Sequence, residues 1–374
     1  MLTPTAFDQL LVPILDLYDD FIMSVINDIA RRLVKTGIIT STAAWQMNRI
    51  LEGGAVYTDV LDYISILTGK SSTVLAGMFT KAGVSTITFD NRIYIAAGLK
   101  PLPIPLSPAM QQVLIAGLRK TAAEIYNLTM TTALEAQHIF IETLDLAYMQ
   151  VTNGTMSYTQ AIKAGIKEMA RKGVKIVEYN KSKDQADVAV RRAVLTGVAQ
   201  TTGNIQIYGA MESGIDLVQT SAHIGARPTH AEWQGKVFSV FGKTPGYPPF
   251  SETGYGTGPG LCGWNCRHSF YPFYEGISEN FYTEAMLDEY DDKRVKYNGV
   301  EMSVYDASQK QREIEREIRK TKREAEALAE AGFDNTEEID KIHGLQARMR
   351  DFVVQTGLIR QPVREGGKVQ RVER

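Results

Sequence analysis

The sequence predicts an α+β fold, with a predominantly helical amino-terminal region, a small β-containing lobe and a charged helical carboxy-terminal region. Apolar residues recur at three- and four-residue spacing over most of the chain, which indicates amphipathic helices. Between His223 and Gly276 this spacing stops, and glycine, proline and aromatic residues crowd together, which favours tight turns and short strands. The 374 residues exceed the usual domain size of roughly 100–200 residues, so the chain can hold more than one core.

The predicted regions are divided where the composition changes. We assign a helical region to residues 1–205, an α+β lobe to 206–277, a charged helical region to 278–358 and an unordered tail to 359–374. The tail has a small excess of basic residues, which would either stay in solvent or touch DNA.

The charge balance argues against a protein that coats nucleic acid. The chain has 41 Lys and Arg against 43 Asp and Glu, for a formal charge of -2, whereas broad nucleic-acid binding needs a basic excess. The acidic start of the chain does not fit a secretory signal. No uncharged apolar run of about 18 residues is present, so we predict no membrane span. Two cysteines in a chain of this length suit a reducing cytoplasm.

Helical periodicity begins near the amino terminus. Apolar residues from Leu10 to Leu33 indicate one amphipathic helix that ends near Gly37. A second helix is capped by residues 41–42, and we expect a break at Gly53-Gly54 and an end at Gly69, which together suggest helical hairpins. The β-branched stretch 84–94 fits either a helix or a strand.

Further helices are predicted up to the lobe. The proline-rich segment 100–108 must be extended and serves as a connector, because proline lacks a donor and restrains its predecessor. One or two long helices are expected from Pro108 to Asn153-Gly154, followed by shorter ones at about Tyr158–Lys172 and Ser182–Thr201. We interpret His138 as a packed or surface histidine.

Short strands are predicted inside the lobe and helices after it. The strands are expected near 215–220, 236–241 and 268–271. Helices are expected at Ser278–Tyr290 and Ser303–Ala331, with a turn at Gly332 and a second packed helix after it. Charges of both signs alternate along 312–324, which indicates a solvated helix with ion pairs four residues apart.

Two motifs in the lobe carry a resemblance to a known family. The first contains Arg227-Pro228-Thr229-His230 and Trp233-Gln234-Gly235-Lys236-Val237, and the second is Gly260-Leu261-Cys262-Gly263-Trp264-Asn265-Cys266-Arg267-His268. In this order, with a short aromatic spacer between them, they resemble the signature of the phage minor capsid protein family, which is related to the Mu-type head morphogenesis proteins.

The resemblance implies a structural role in a tailed bacteriophage. It suggests a minor capsid or head morphogenesis protein, present in few copies beside the portal vertex, that takes part in head assembly or DNA delivery. The implied partners are the portal protein and capsid or scaffold proteins, and the implied location is the virion, with the host cytoplasm during assembly. The net charge does not indicate contact with DNA.

The lobe also holds side chains that can bind metals. Five residues offer imidazole or thiolate ligands: His223, His230, Cys262, Cys266 and His268. Mu-type relatives have a Cys-x-x-Cys followed by a Cys-x-Cys. If Gly235 is matched, Arg227 stands at the first of these positions and His230 at the second, while Cys266 and His268 stand at the later pair. Because an arginine replaces one ligand, we predict no bound metal, with zinc as the alternative. We expect Arg227 instead to donate hydrogen bonds to carbonyl groups of the glycine-rich turn.

Enzymatic interpretations need more than these residues. Cys266 with His268 or His230 would suit nucleophilic catalysis, and His230, Asn265 and His268 would suit an HNH-like nuclease. Both require an oriented base and an open cleft, which the sequence does not indicate. We therefore predict no enzyme and no catalytic residue, and keep a zinc-dependent or Cys/His hydrolase packaged in the phage head as the alternative.

We adopt a structural interpretation of the lobe. Glycines supply turns with positive φ, tryptophans fill a small core, and polar side chains satisfy buried backbone groups in a lobe that apolar area alone would not hold. The residues assigned to this role are Arg227, His230, Trp233, Gly235, Cys262, Trp264, Asn265, Cys266, Arg267 and His268.

Overall fold

A computed structural model describes residues 2–36, 42–100, 107–177, 183–367, 369 and 372. Helices account for most of these residues, and three small antiparallel sheets accompany them. The prediction of a mostly helical α+β fold is therefore confirmed. Within the described residues, every helix lacks the combination of length and apolar composition that crossing a membrane requires.

The elements are numbered along the described chain. The helices longer than one turn are α1 Pro4–Lys35, α2 Thr42–Ala96, α3 Pro108–Thr152, α4 Tyr158–Lys172, α5 Ala186–Glu212, α7 Glu284–Asp292, α8 Val304–Glu330 and α9 Thr336–Thr356, and a single turn, α6, spans Pro228–Ala231. The strands are β1 Lys175–Val177, β2 Lys183–Gln185, β3 Leu217–Thr220, β4 Val237–Ser239, β5 Phe270–Phe273, β6 Arg294–Tyr297 and β7 Val300–Ser303. Short 3₁₀-helices span Phe250–Thr253 and Pro362–Glu365.

Helix α2 corrects one sequence prediction. It continues unbroken through Gly53-Gly54 and Gly69, where a break and an end were expected. Each glycine costs about 1 kcal/mol of helix propensity relative to alanine, but buried residues such as Val56 and Val60 continue the apolar face beyond the pair. Gly53 lies against the Ile141 side chain of α3, where an added Cβ would make an ordinary contact of 3.4 Å. Tertiary packing therefore outweighs the local signal.

Other helix predictions agree with the structure more closely. Helix α1 ends at Lys35, and Gly37, the predicted stop, lies outside the described residues. Helix α4 has the predicted bounds and begins with a capping box between Ser157 and Gln160. The ambiguous stretch 84–94 is helical, and most of the predicted connector, 101–106, falls outside the described residues.

The chain divides into two compact units, each made of three separate stretches. Unit 1 contains Met1–Ile14, Ser72–Ile125 and Arg191–Ser308, and unit 2 contains Leu15–Ser71, Tyr126–Val190 and Gln309–Arg374. The predicted lobe 206–277 lies wholly in the last stretch of unit 1. The predicted boundaries at 205, 277 and 358 stay predictions about independent domains.

Unit 1 contains the three-stranded sheet of the lobe. Strand β3 is central and pairs antiparallel with β4 and β5, with Leu217 opposite both Ser239 and Phe273. All residues of β3 and β5 are buried, which explains their continuous apolar and aromatic character. The three strands predicted in the lobe are confirmed, although β5 begins at Phe270 rather than at residue 268.

A hairpin in unit 1 was missed by the sequence analysis. Strands β6 and β7 pair antiparallel around Asn298-Gly299, both of which have positive φ. An Asn-Gly pair between two β-prone segments is the preferred two-residue hairpin connection, so the signal was present in the sequence. The helix predicted at Ser278–Tyr290 begins later, at Glu284, with Thr283 as its N-cap.

Unit 2 corrects the interpretation of the charged helix α8. Its charges do not lie only in solvent, because Glu315, Arg323 and Glu324 are at most 4% exposed. They pair with other helices: Arg171 of α4 contacts Glu324 at 2.8 Å, among other ion pairs to this helix. Ile314, Ile318 and Leu328 are also buried, and this apolar stripe places the helix inside the unit.

The tail also differs from its prediction. The 3₁₀-helix Pro362–Glu365 follows Arg360, which donates two hydrogen bonds of 2.6 Å to the buried Glu365. The Gly367 N–H donates to the Asp19 carboxylate at 3.2 Å. These charge-assisted bonds hold the described part of the tail on unit 2, which composition alone did not indicate.

Candidate functional site

The candidate site in unit 1 is built on one helical turn and one strand. Pro228 opens the turn α6, since its fixed φ suits the first helical position, and the turn positions His230. Cys266 and His268 lie immediately before β5, which begins at Phe270. The two motifs identified in the sequence therefore supply residues to one site.

The turns before Cys266 require glycine for steric reasons. A Cβ on Gly260 would stand 2.1 Å from the Gly254 carbonyl oxygen, and a Cβ on Gly263 would stand 2.3 Å from the Gly258 carbonyl oxygen. Both distances are well below a normal contact, so no side chain fits at either position. At these two positions the glycines are explained by close backbone packing rather than by the positive φ that the sequence interpretation expects, since neither Gly260 nor Gly263 has a positive φ.

His230, Cys266 and His268 form a buried cluster. The Sγ atom of Cys266 lies 4.0 Å from Nδ1 of His230 and 3.7 Å from Nδ1 of His268. Their relative exposures are 3%, 2% and 1% for His230, Cys266 and His268, so solvent scarcely reaches them. In the part of the chain that the structure describes, this is the one His, Cys and carboxylate group with donor atoms close enough to share a metal ion, all within 4.8 Å.

A hydrogen bond determines the tautomer of His230. Its Nε2 lies 2.8 Å from the carbonyl oxygen of Pro259. A carbonyl oxygen only accepts, so Nε2 carries the hydrogen and donates it. Nδ1 of the neutral ring is then unprotonated, and its lone pair is directed to the side where the Cys266 sulfur lies.

His268 has the same tautomer, because Gln234 fixes it. The Oε1 atom of Gln234 accepts from the His223 backbone N–H at 3.2 Å, which sets the orientation of the amide. Nε2 of His268 lies 3.2 Å from the same oxygen and must therefore donate. Two imidazole lone pairs, one from each histidine, thus face the single sulfur of Cys266.

Burial dominates the electrostatics of the cluster. It lowers the pKa of His268 well below the ordinary value, and His223 and His230 lower it further by repulsion. Burial also lowers the pKa of His230. It raises the pKa of the Cys266 thiol, while backbone N–H groups near the sulfur and the charge of Arg227 oppose that rise. Both imidazoles of the cluster are consequently neutral near pH 7.

Aromatic rings enclose the cluster. The ring of His223 stacks on that of His268 with centroids 4.3 Å apart. The Trp233 ring meets His268 edge-on, with centroids 4.8 Å apart, and lies tilted against His230, with centroids 4.7 Å apart. The structure therefore brings His223, His230, His268 and Trp233 together, and Trp233 is buried in the small core that the sequence predicts.

Other predicted site residues lie around the cluster or away from it. Arg227 donates to the Trp264 carbonyl oxygen at 3.3 Å, as expected for a contact with the glycine-rich turn. Trp264 was expected to fill the core but is 57% exposed, because its ring packs over the bare backbone of Gly258. Cys262 is buried, with its sulfur 3.9 Å from the His268 carbonyl oxygen, and is not a member of the cluster.

Three further motif residues have separate structural roles. Asn265 has φ 55° and is exposed at the turn before Cys266. Gly235 has φ 71°, and a Cβ there would stand 2.8 Å from the Leu287 side chain. Arg267 donates to Asp8 of α1 at 3.1 Å, so its role is to connect the lobe to the first helix.

Two residues of unit 1 were missed by the sequence analysis. Gln234 is fully buried and orients His268, and its place inside the first motif was the available signal. Asp216 accepts hydrogen bonds from the Ser239 hydroxyl at 2.6 Å and from the backbone N–H groups of Phe241 and Lys243. These bonds lower the pKa of Asp216 against the opposing effect of burial, and no sequence pattern pointed to it.

Comparison with known proteins places the chain among phage structural proteins. The family model described as phage minor capsid protein 2 matches residues 2–354. A "Structural protein" of Lactococcus phage LL-H is 25% identical over 344 residues, which cover 87% of this chain and 90% of the relative. A "Structural protein" of Lactococcus phage mv4 is 34% identical over 111 residues, which cover 29% of this chain and 81% of the relative. No solved structure matches the chain significantly.

Proposed function

The chain belongs to the phage minor capsid protein 2 family, and we propose from this premise that it is a minor head component, present in few copies beside the portal vertex of a tailed phage. In this role it would contact the portal protein and capsid or scaffold proteins, either while the head assembles or when DNA is delivered. The observation that carries the proposal is the family match over residues 2–354.

Unit 2 has an exposed apolar patch on α2 that is suited to contact with such a partner. Met47, Ile50 and Leu51 of α2 are 58%, 71% and 61% exposed, and we call them the α2 patch. Trp45 and Arg49 face α3 instead, where the Trp45 ring stacks on Tyr148 at 4.8 Å. Exposed apolar side chains grouped on the free side of a helix are typical of helix-mediated association.

The proposal assigns no catalytic role to the buried cluster. His230, Cys266 and His268 are each at most 3% exposed, which leaves a polymer substrate no access to the donor atoms. A packaged Cys/His or zinc-dependent hydrolase remains the alternative, and it predicts a chemical step that stops when the cluster is altered while the particle stays intact.

Co-purification tests the proposed location. The chain should be expressed together with the portal, scaffold and major capsid proteins of the same phage, and the complexes should be captured through a tag on the portal protein at low salt. We expect the chain to be retained in a low and constant ratio to the portal. Portal-containing heads that assemble and elute entirely without the chain would refute the location, although membership of the family would stand.

A further inference from the structure

We propose that His230, Cys266 and His268 bind one zinc ion that holds together the two motifs of the lobe. The proposal rests on the donor set of the cluster and is independent of any contact with the portal. It departs from the sequence prediction of no metal, which relied on the arginine at position 227, because the structure shows three donor atoms together without that position.

The distances between donor atoms suit a tetrahedral ion. Zinc lies about 2.0–2.1 Å from histidine nitrogen and about 2.3 Å from cysteine sulfur, so two such ligands stand about 3.6 Å apart in a tetrahedron. The observed sulfur-to-nitrogen distances are 3.7 Å to His268 and 4.0 Å to His230. All three donor atoms lie within 4.8 Å of one another, so the two nitrogens would have to approach each other by up to about 1.5 Å to close the site around an ion.

The cluster has one thiol hydrogen for two Nδ1 lone pairs, and this shortage favours a bound metal ion over hydrogen bonds from the thiol. A thiol has one hydrogen and can donate it to only one of the two Nδ1 atoms. The other buried lone pair would then lack a donor from Cys266, which carries a free-energy cost in a dry environment. A zinc ion replaces the thiol proton and accepts both lone pairs, so it satisfies all three groups together.

The residues around the cluster resemble the outer ligands of metal sites. Histidines that bind metals usually donate their second ring N–H to a carbonyl or carboxylate group, which fixes the ring orientation. His230 does so to Pro259, and His268 does so to the side-chain oxygen of Gln234.

The cluster supplies three ligands, so a water molecule would complete a tetrahedral site. Cys262 and His223 are not members of the cluster in the described chain, although both lie close to it. Because the three ligands are almost fully buried, the ion would join α6 to the start of β5 rather than serve an incoming substrate. Its chemical role is therefore structural.

Metal analysis of the purified full chain tests the proposal. The protein should be prepared without chelators, and the zinc content measured by mass spectrometry for the wild type and for two matched variants, Cys266→Ser and Cys262→Ser. Both variants replace a buried thiol by a hydroxyl, but only the first removes a proposed ligand. We expect about one zinc per chain in the wild type and in Cys262→Ser, and less than about 0.2 in Cys266→Ser.

Two measurements on the wild type keep the test decisive if Cys266→Ser fails to fold. Chelator treatment should lower the midpoint of thermal unfolding by roughly 5 °C or more, and added zinc should restore it. Cobalt added to the chelated protein should give the absorption band of a thiolate-to-cobalt charge transfer. A wild-type protein without zinc and without a response to chelator would overturn the proposal, as would equal zinc content in Cys266→Ser.

Discussion

The Oγ1 atom of Thr201 on α5 lies 2.0 Å from the point where a Cβ on Gly117 of α3 would stand. The relationship is reciprocal, because Oγ1 of Thr121 on α3 lies 2.0 Å from the corresponding point on Gly197 of α5. Both threonines are nearly fully buried. The two helices of unit 1 therefore pack with a glycine of each against a threonine of the other.

Alanine at these glycines should destabilise the protein despite its higher helix propensity. The Cβ and Cγ2 atoms of Thr201 also lie within 3.0 Å of the added Cβ, so rotation of the threonine does not relieve the overlap. We expect Gly117→Ala to lower the free energy of unfolding by about 1–2 kcal/mol net, as measured by chemical denaturation. Gly77→Ala on α2 is the control: an added Cβ has no neighbour within 4 Å, and stability should rise by about 0.5–1 kcal/mol. Equal gains in both variants would contradict the packing.

A buried carboxylate in unit 1 should make stability depend on pH. Asp90 is fully buried, its Oδ1 accepts from Gln206 at 3.2 Å, and its Oδ2 has no partner among the described residues. Burial raises its pKa from 3.8 to about 7. Because the folded-state pKa is raised, the stability that Asp90 contributes to the folded state is fully present below pH 3.8. It is lost as the pH rises through about 7.

Asparagine at position 90 should remove this dependence. Asp90→Asn keeps an oxygen for Gln206 but has no charge to bury, so at pH 8 the variant should be more stable than the wild type by up to about 4 kcal/mol. The two proteins should converge below pH 4. Urea unfolding between pH 4 and 8 measures the difference, with the exposed Asp288→Asn as the control that keeps the wild-type profile. A parallel pair of curves for Asp90→Asn and wild type would contradict the burial argument.

The α2 patch should be required for capture by head components. Ile50→Glu puts a charge where the proposal places an apolar contact, and we expect retention on portal-containing complexes to fall by about tenfold or more. Ile95→Glu on the same helix is a matched control, since Ile95 is 59% exposed. Both variants should keep the wild-type unfolding midpoint. Normal retention of Ile50→Glu would remove the patch from the interface.

Phage particles that carry a Cys266 variant should distinguish a structural role of the cluster from a catalytic one. Cys266→Ala should lower the stability of the chain by about 1–3 kcal/mol, and any fall in infectivity should match the fall in the number of copies incorporated per head. Cys262→Ala controls for the loss of a buried thiol. Particles that contain the full complement of Cys266→Ala protein yet fail at one step of infection would favour the hydrolase alternative.

The sequence predicted elements best where local and tertiary preferences agree. Helix α4 has the predicted bounds because a capping box marks its start, Gly173 with positive φ marks its end, and the apolar face lies between them. Helix α2 was wrongly divided, since two adjacent glycines are a local signal, and the burial of Val56 and Val60 depends on residues far along the chain. The prediction that the charges of α8 lie in solvent was wrong for the same reason. Glu324 pairs with Arg171, which is 153 residues away in the sequence.

The composition of the site was predictable, but its geometry was not. Scarcity and motif spacing gave five candidate ligands, and the structure brings only His230, Cys266 and His268 of these together. The tautomers depend on Pro259 and Gln234, whose contacts follow from how the turns fold, and no spacing rule gives them. The exposed position of Trp264 likewise follows from its packing over one glycine rather than from its residue type.

Each unit is made of early and late stretches of the chain, so neither unit can be completed until late in protein synthesis. Unit 1 joins the stretch 1–14 to residues as far as 308, and unit 2 joins 15–71 to residues beyond 309. A chain still on the ribosome therefore cannot close either unit until most of it has been made, and until then its apolar helix faces lack their native partners. Prematurely terminated chains would leave those faces exposed, which favours aggregation over native folding.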